Sequence, residues 1–96
     1  MATITYTQGD NTTSPGTITL DGESKTALSG PPNNGRLDNV GDLVFAEFDS
    51  PVARIECIRT GESTMTIRVI EFPGISGTYY YAEDENVVEN VPIDFS

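Results

Sequence analysis

The sequence predicts an all-β protein, a small antiparallel β-sandwich or barrel of about seven strands with Greek-key-like connections. The β-branched residues Val, Ile and Thr number 27 of 96, against four Leu and five Ala, and such side chains favour strands over helices. Apolar and polar residues alternate repeatedly, whereas no window of eleven or more residues keeps a helical apolar spacing without a Gly or Pro. All six prolines fall in predicted loops, beside strand ends or near the terminus, where a missing N–H is tolerated.

The N-terminal third reads as short strands between polar loops. Alternation predicts strands at 2–7 and 17–20 and a weaker one at 23–28, with a turn at the dipeptide Asp21-Gly22. The loops 8–16 and 29–36 contain most of the turn-forming residues of this part of the chain, and the sequence leaves open whether they are ordered without a partner.

The second half is denser in apolar residues, and it completes the predicted fold. Strands are predicted at 42–48, 52–60, 64–72, 78–83 and 87–95. The segment 42–48 is apolar on both faces, which predicts a central strand covered on both sides. The clearest hairpin is 52–72, and it is expected at the centre of the fold. Because an uncovered edge is a liability, the strand 2–7 or the segment 91–95 is expected to pair with another chain or to close the sheet.

The register of the hairpin 52–72 follows from charge. Directly opposed residues of an antiparallel pair share a face, so the apolar residues of the two strands must face one another. Two registers satisfy this condition. One sets Arg54 opposite Arg68, a like-charge clash, and the other sets Glu56 opposite Arg68 and Cys57 opposite Ile67. The two pairs differ by up to about 1 kcal/mol, so the second register is predicted, with a three-residue loop.

Size and charge limit the function. The chain has 96 residues, enough for one domain over 1–96 with a thin core, and its net charge is −10 with no histidine. This charge argues against binding nucleic acid or an anionic membrane surface. The N-terminus has neither the basic nor the apolar region of a signal peptide, and no apolar run approaches the length of a membrane span. The protein is therefore expected to be made in a cytoplasm.

No set of residues typical of catalysis, cofactor binding or metal binding stands out, and the chain is expected not to be an enzyme. The carboxylate pairs border turns, and this position predicts that they are charged and exposed to solvent. These pairs are Asp38 with Asp42, Glu47 with Asp49 and Glu83 with Glu85. The loops 38–42 and 84–86 are rich in oxygen ligands, but neither has the spacing of a helix-flanked calcium loop. The single cysteine, Cys57, lies on the apolar side of its predicted strand, which predicts a buried and inert thiol.

The run Tyr79-Tyr80-Tyr81 is the most informative local feature. In a strand, Tyr79 and Tyr81 share one face and Tyr80 takes the other. Tyr79 and Tyr81 are candidates for contact with a partner, and so are Val91, Ile93 and Phe95 at the C-terminal end. The competing interpretation is that the inward tyrosines fill the core and the outward one pairs across strands.

In size, in its Thr-, Gly- and Pro-rich β composition, in the lack of cysteine pairs and in an N-terminus that begins Met1-Ala2, the chain resembles the small all-β accessory proteins of bacteriophage particles. These include capsid decoration or cement proteins and fibre or tail modules. The resemblance covers the whole chain but is carried by no specific motif, so it transfers no residue roles. It implies a virion location, binding to a major capsid protein or another virion protein, and a homo-oligomer such as a trimer.

Two other functions remain open. A β-sandwich module could bind carbohydrate or calcium through Tyr79, Tyr81 and the acidic loops. A small enzyme or an enzyme inhibitor is the remaining class, and the missing catalytic residues argue against it. A chain that co-purifies with a large particle would favour the virion role over both alternatives.

Overall fold

A computed structural model gives the structure of the protein and describes residues 2–9, 15–29, 35–49, 54–70, 76–80 and 91–93. This part of the chain contains eight strands and no helix. The strands are β1 (Ala2–Thr7), β2 (Thr17–Leu20), β3 (Glu23–Thr26), β4 (Leu43–Glu47), β5 (Arg54–Arg59), β6 (Thr64–Ile70), β7 (Ser76–Tyr80) and β8 (Val91–Ile93). The all-β prediction is confirmed, and the eighth strand beyond the seven expected is only three residues long.

The strands form two antiparallel four-stranded sheets, in the orders β3-β2-β1-β8 and β4-β5-β6-β7. Most neighbours are consecutive in the sequence, as in a meander. The exception is β8, which returns from the second sheet to lie beside β1, as the last strand of a Greek key does. The segments 2–7 and 91–95 were expected to pair with another chain or to close the sheet. In the described residues, β8 pairs with β1 and extends its sheet.

The turn between β2 and β3 follows directly from its two residues. Asp21 and Gly22 both have positive φ, 48° and 90°. A two-residue hairpin loop of the type whose twist matches the strands needs positive φ at both positions, and Asp-Gly is a favoured pair for it. The Asp21 carboxylate also accepts a hydrogen bond from the N–H of Thr3 at 2.9 Å, which ties the turn to β1.

The predicted register of the main hairpin is confirmed. Glu56 lies opposite Arg68 and Cys57 opposite Ile67, and β5 and β6 are the two central strands of the second sheet. The N–H of Thr60 donates to the carbonyl of Thr64 at 3.0 Å, so three residues close the loop, as expected.

The core lies between the sheets and is built by alternating inward residues. All of its members are at most 5% exposed: Ile4, Tyr6, Ile18, Leu20, Ala27, Leu37, Val44, Ala46, Phe48, Ile55, Cys57, Met65, Ile67 and Val69. Gln8 is buried with them. Its side chain accepts hydrogen bonds from the Tyr6 hydroxyl and from the N–H of Leu37, so this buried amide joins β1 to the segment before β4.

The inward alternation of β5 ends on a charged residue that the sequence reading did not single out. Arg59 is 4% exposed. Its guanidinium donates to backbone carbonyls of Asp38, Gly61 and Glu62 at 2.5 to 2.9 Å. Buried N–H donors need such acceptors, and the result is that Arg59 links the hairpin loop to the turn 38–42.

The prediction that 42–48 is a central strand was wrong. β4 is the edge of its sheet, and one face of it is buried while the other is half-buried. No third layer of structure covers the outer face of β4 in the described residues, and Phe45 on that face has two local contacts instead. Phe45 exchanges two backbone hydrogen bonds of 2.9 Å with Leu28, which joins β4 to the end of the first sheet. The Phe45 ring also lies under the Arg54 guanidinium, 3.9 Å from its centroid.

Candidate interaction surface

The tyrosine run lies on β7, at the edge of the second sheet. Tyr79 lies opposite the buried Met65 and packs against the core, whereas Tyr80 lies opposite Thr64 and is 69% exposed. Tyr79 was expected to contact a partner, and this expectation needs correction, because the register turns Tyr79 inward. Tyr80 is the exposed aromatic residue of β7 instead. Tyr81 lies outside the described residues.

A shallow groove of about 190 Å³ runs beside Tyr80 and is lined by Thr64, Thr78, Tyr79 and Tyr80. We call these four residues the tyrosine corner. The groove is smaller than the roughly 300–1,000 Å³ of most small-molecule pockets. Its two hydroxyl-bearing threonines and two aromatic rings offer an amphipathic surface of the kind that anchors protein contacts.

Of the C-terminal candidates, Val91 and Ile93 belong to β8. Their backbones pair with β1, Val91 opposite Ile4 and Ile93 opposite Ala2. Phe95 lies outside the described residues. The position of β8 places this segment on the first sheet, whereas the tyrosine corner belongs to the second. The structure therefore does not bring the two groups of candidates together on one sheet.

A second group of polar residues lies on the outer face of the same sheet. Glu56 is 7% exposed although it points away from the core. Its carboxylate accepts hydrogen bonds from Nε of Arg54 and Nε of Arg68, both at 3.0 Å. We call these three residues the arginine cluster. The carboxylate is covered by the two guanidinium groups, so its burial is matched by two charge-assisted contacts.

The sequence reading anticipated only half of the arginine cluster. The register predicted the cross-strand pair of Glu56 and Arg68. It did not predict that Arg54, two residues before Glu56 on the same strand, folds back onto that carboxylate and onto the ring of Phe45. The alternation of Arg54 and Glu56 on one face is the signal that could have found it, since residues two apart in a strand lie side by side.

The single thiol is buried, as predicted. Burial, together with a smaller contribution from the nearby Glu56 carboxylate, raises the pKa of Cys57 from its usual value of 9.0 to about 12. A nucleophilic cysteine needs the opposite shift, toward the thiolate. Cys57 therefore serves as an apolar side chain of the core.

The oxygen-rich loop 38–42 is an ordinary turn. The Asp42 carboxylate accepts hydrogen bonds from the N–H groups of Asp38 and Asn39 at 2.9 and 2.7 Å, and Gly41 has a φ of 97°. The Asp38 carboxylate is paired with Arg36 at 2.9 Å. Within the described ranges, no three Cys, Asp or Glu side chains come together as a metal site. The residues 84–86 lie outside those ranges.

The two remaining carboxylate pairs form no buried site in the described residues. Glu47 and Asp49 are exposed at the end of β4, while Glu83 and Glu85 lie outside the described residues. No helix long and apolar enough to cross a membrane occurs in the described part of the chain.

Comparison with known proteins returned no relative. No family model matches the sequence, no curated protein matches it, and no solved structure matches the fold. The fold and surface define the chain as a small, acidic, antiparallel β-sandwich, and any role must be argued from its own residues.

Proposed function

We propose that this chain is a non-enzymatic structural protein of a virus particle, a bacteriophage capsid decoration or accessory protein that binds an assembled shell and stabilises it. Its partner is a major capsid protein or another virion protein, and it is made in the host cytoplasm. The observation that carries the proposal is the exposure of Tyr80, the most exposed of the large hydrophobic side chains in the described residues.

The tyrosine corner supports a contact with protein. Tyrosine combines a large apolar ring with a polar tip and is enriched at the centres of protein interfaces. Tyr80 is held on a strand of a four-stranded sheet, so little conformational entropy is lost when a partner covers it. Thr64 and Thr78 beside it supply hydroxyl groups for hydrogen bonds at the rim.

The charge of the chain supports the same role. A net charge of −10 on 96 residues disfavours contact with the nucleic acid that a shell encloses. It also keeps free copies dispersed until a complementary surface is present. Both properties suit a protein that acts on the outside of a shell.

The test is the distribution of the chain between particles and free protein. Particles of the virus whose genome encodes the chain are purified by density gradient, and the bound chain is removed from them. The stripped particles are then mixed with purified wild-type or variant protein, and the bound fraction is measured. We expect Tyr80→Ala to reduce the bound fraction at least about tenfold, as loss of a central aromatic anchor does. The matched control is Val40→Ala, which trims a residue that is 65% exposed in the turn 38–42. A chain absent from the particles, or bound equally well without the Tyr80 ring, would overturn the proposal.

A carbohydrate-binding module is the second candidate, and the groove of the tyrosine corner is the observation that favours it. Aromatic faces beside hydroxyl groups suit a sugar ring. The protein contains four tyrosines and no tryptophan, and two of these tyrosines line the groove, so binding there should change the tyrosine fluorescence. Saturable quenching by a mono- or oligosaccharide, lost in Tyr80→Ala, would support the module. The same titration with Ca²⁺ tests the calcium alternative.

A further inference from the structure

The outer face of the second sheet has a surface of a different kind on β4, β5 and the end of β6. The apolar residues Leu43, Phe45 and Ile58 are half-buried on this outer face, and Ile70 is 38% exposed. Outward positions of a sandwich are normally polar. Four apolar residues at the outward positions of one sheet of an acidic protein indicate a contact surface.

Charge on this face is balanced, in contrast to the chain as a whole. Four charged residues lie there within two adjacent cross-strand rows: Glu47, Arg54, Glu56 and Arg68. Two are acidic and two are basic, so they sum to zero, and the remaining residues carry the entire net charge of −10. Another strongly acidic body is therefore repelled least when it approaches through this face.

We propose that this face binds a second copy of the same chain in a two-fold arrangement, with Arg68 of each copy against Glu47 of the other. The contact deepens the proposed function by naming one partner, and it rests on that function for its biological role. The Tyr80 side chain stays outside the contact. Tyr80 lies three cross-strand rows from Glu47, a separation of about 20 Å at the usual rise of a strand.

The register makes the pairing geometrically consistent. Glu47 lies on β4 and Arg68 on β6, two strands and one row apart, which corresponds to about 12 Å at standard strand spacing. A two-fold axis in the plane of the contact, over the arginine cluster, exchanges these two positions. Such an isologous contact gives two identical ion pairs.

The two arginines differ in what they still offer a partner. Arg54 is engaged on both sides, by Glu56 and by the ring of Phe45, and its side chain is 33% exposed. Arg68 is 52% exposed beyond its contact with Glu56. Its exposed N–H groups and the exposed Glu47 carboxylate are the complementary groups of the face.

A second copy of the chain matches the charges and apolar residues of this face better than a basic protein or a nucleic acid does. A basic protein would be attracted to the acidic remainder of the chain, which carries the net charge, instead of to a neutral face. Nucleic acid is repelled by the whole. A second copy brings apolar side chains, a carboxylate and a guanidinium to matching positions.

The contact is expected to be weak. Four strands and three rows span roughly 19 by 20 Å, or about 400 Å² on each copy, against the roughly 800 Å² of a standard interface. Dimers of 20.8 kDa, twice the 10.4 kDa chain, should therefore form only at high protein concentration. On a shell, where copies are held close together, the same contact gains from effective concentration.

The experiment is sedimentation equilibrium of the full chain up to about 1 mM, where a contact of about −4 kcal/mol is half-populated. Glu47→Arg places like charges together twice in the dimer, and we expect its dimerisation to weaken at least about tenfold. The matched control is Glu62→Arg, an exposed residue of the hairpin loop. It changes the net charge equally, and it should dimerise at least as well as the wild type. Thermal melting monitored by circular dichroism verifies that both variants fold.

Each outcome decides the inference. Dimers weakened by Glu47→Arg and not by Glu62→Arg support it. A wild type that remains monomeric throughout, or two variants that behave alike, overturns it. Neither result affects the particle-binding test, which depends on Tyr80, so failure of this contact is distinguishable from failure of the proposed function.

Discussion

The outer faces of the two sheets differ although they have the same backbone geometry. On the first sheet, the outward residues of the first three strands are all hydroxyl-bearing: Thr3, Thr5, Thr7, Thr17, Thr19, Ser24 and Thr26. On the second sheet, the outward positions of β4, β5 and β6 carry four apolar residues, two arginines, the buried Glu56, the exposed Glu47 and only two threonines. The first face suits contact with water, whereas the second has the composition of a contact surface.

The two faces also hold their strands together differently. Across β2 and β3 the hydroxyls of Thr19 and Ser24 lie 2.7 Å apart, a neutral and exposed hydrogen bond. Across β5 and β6 the contact is a charge-assisted pair that covers a buried carboxylate. Cross-strand hydroxyl pairs contribute a few tenths of a kcal/mol, and breaking a buried ion pair costs several times more. Stability should therefore depend more on the outer face of the second sheet.

The largest expected effect tests this difference directly. The double variant Arg54→Ala with Arg68→Ala removes both guanidinium groups that cover the Glu56 carboxylate and opens that carboxylate to water, so the loss is that of two partly exposed charge-assisted contacts. It should lower the free energy of unfolding by about 2 kcal/mol. The matched change on the other face, Thr5→Ala with Thr19→Ala, should cost about 1 kcal/mol or less. Thermal melting should show a drop of more than about 8 °C for the first pair.

A third substitution tests the reason for that loss. Adding Glu56→Leu to the double arginine variant removes the carboxylate that has lost both partners, and part of the stability should return. Equal losses for the arginine and threonine pairs would show that the two faces are energetically equivalent, and no recovery with leucine would show that the unpaired charge is not the cause of the loss.

The next prediction contrasts the inner face of β5 with its outer face, and it concerns the loss of stability at high pH caused by Cys57. The pKa of Cys57 is raised to about 12 in the folded protein, above its usual 9.0. The stability that this shift represents is therefore fully present below pH 9.0 and is lost as the pH rises toward 12. Relative to Cys57→Ala, the wild type should lose about 2 kcal/mol between pH 9 and about pH 10.5, measured by urea unfolding. Parallel pH profiles of the two proteins would contradict a buried thiol.

A smaller effect compares the hairpin turns of the two sheets. Gly22 has a φ of 90° and open space around it, so Gly22→Ala should cost about 1 kcal/mol through backbone strain alone. At Gly61 no positive φ is required, and an added Cβ meets only the side-chain hydroxyl of Thr64, at 2.8 Å. Gly61→Ala should therefore cost less, about 0.5 kcal/mol. Urea midpoints at constant slope measure both, and the reverse ranking would refute this assignment of the turns.

The smallest effect concerns Tyr80. Its ring is 69% exposed, so Tyr80→Ala should change the free energy of unfolding by less than about 0.5 kcal/mol. Thermal melting checks this value. A larger loss would mean that the ring stabilises the fold, and the particle-binding experiment would then need a milder change such as Tyr80→Phe.

Much of the fold was accessible from sequence because its signals are local. β1 and β2 begin and end where alternation placed them, since Gly, Pro and Asp mark their ends. The register of the main hairpin also followed from the sequence, because one choice clashes two arginines and the other pairs Glu56 with Arg68. The candidate surface was less accessible. The sequence singled out the tyrosine run but assigned Tyr79 to the exposed face, since alternation gives a period without giving its phase.

By itself, the sequence determined the fold class, the turns, the hairpin register and the burial of Cys57, because these depend on neighbours along the chain or on one hairpin. Tertiary structure decided which sheet each strand joined and which side of β7 faced the core. It made β4 an edge strand joined to Leu28, turned Tyr80 to solvent and buried Arg59 among backbone carbonyls. These outcomes depend on how two twisted sheets meet, and residues distant in sequence come together only when the sandwich has closed.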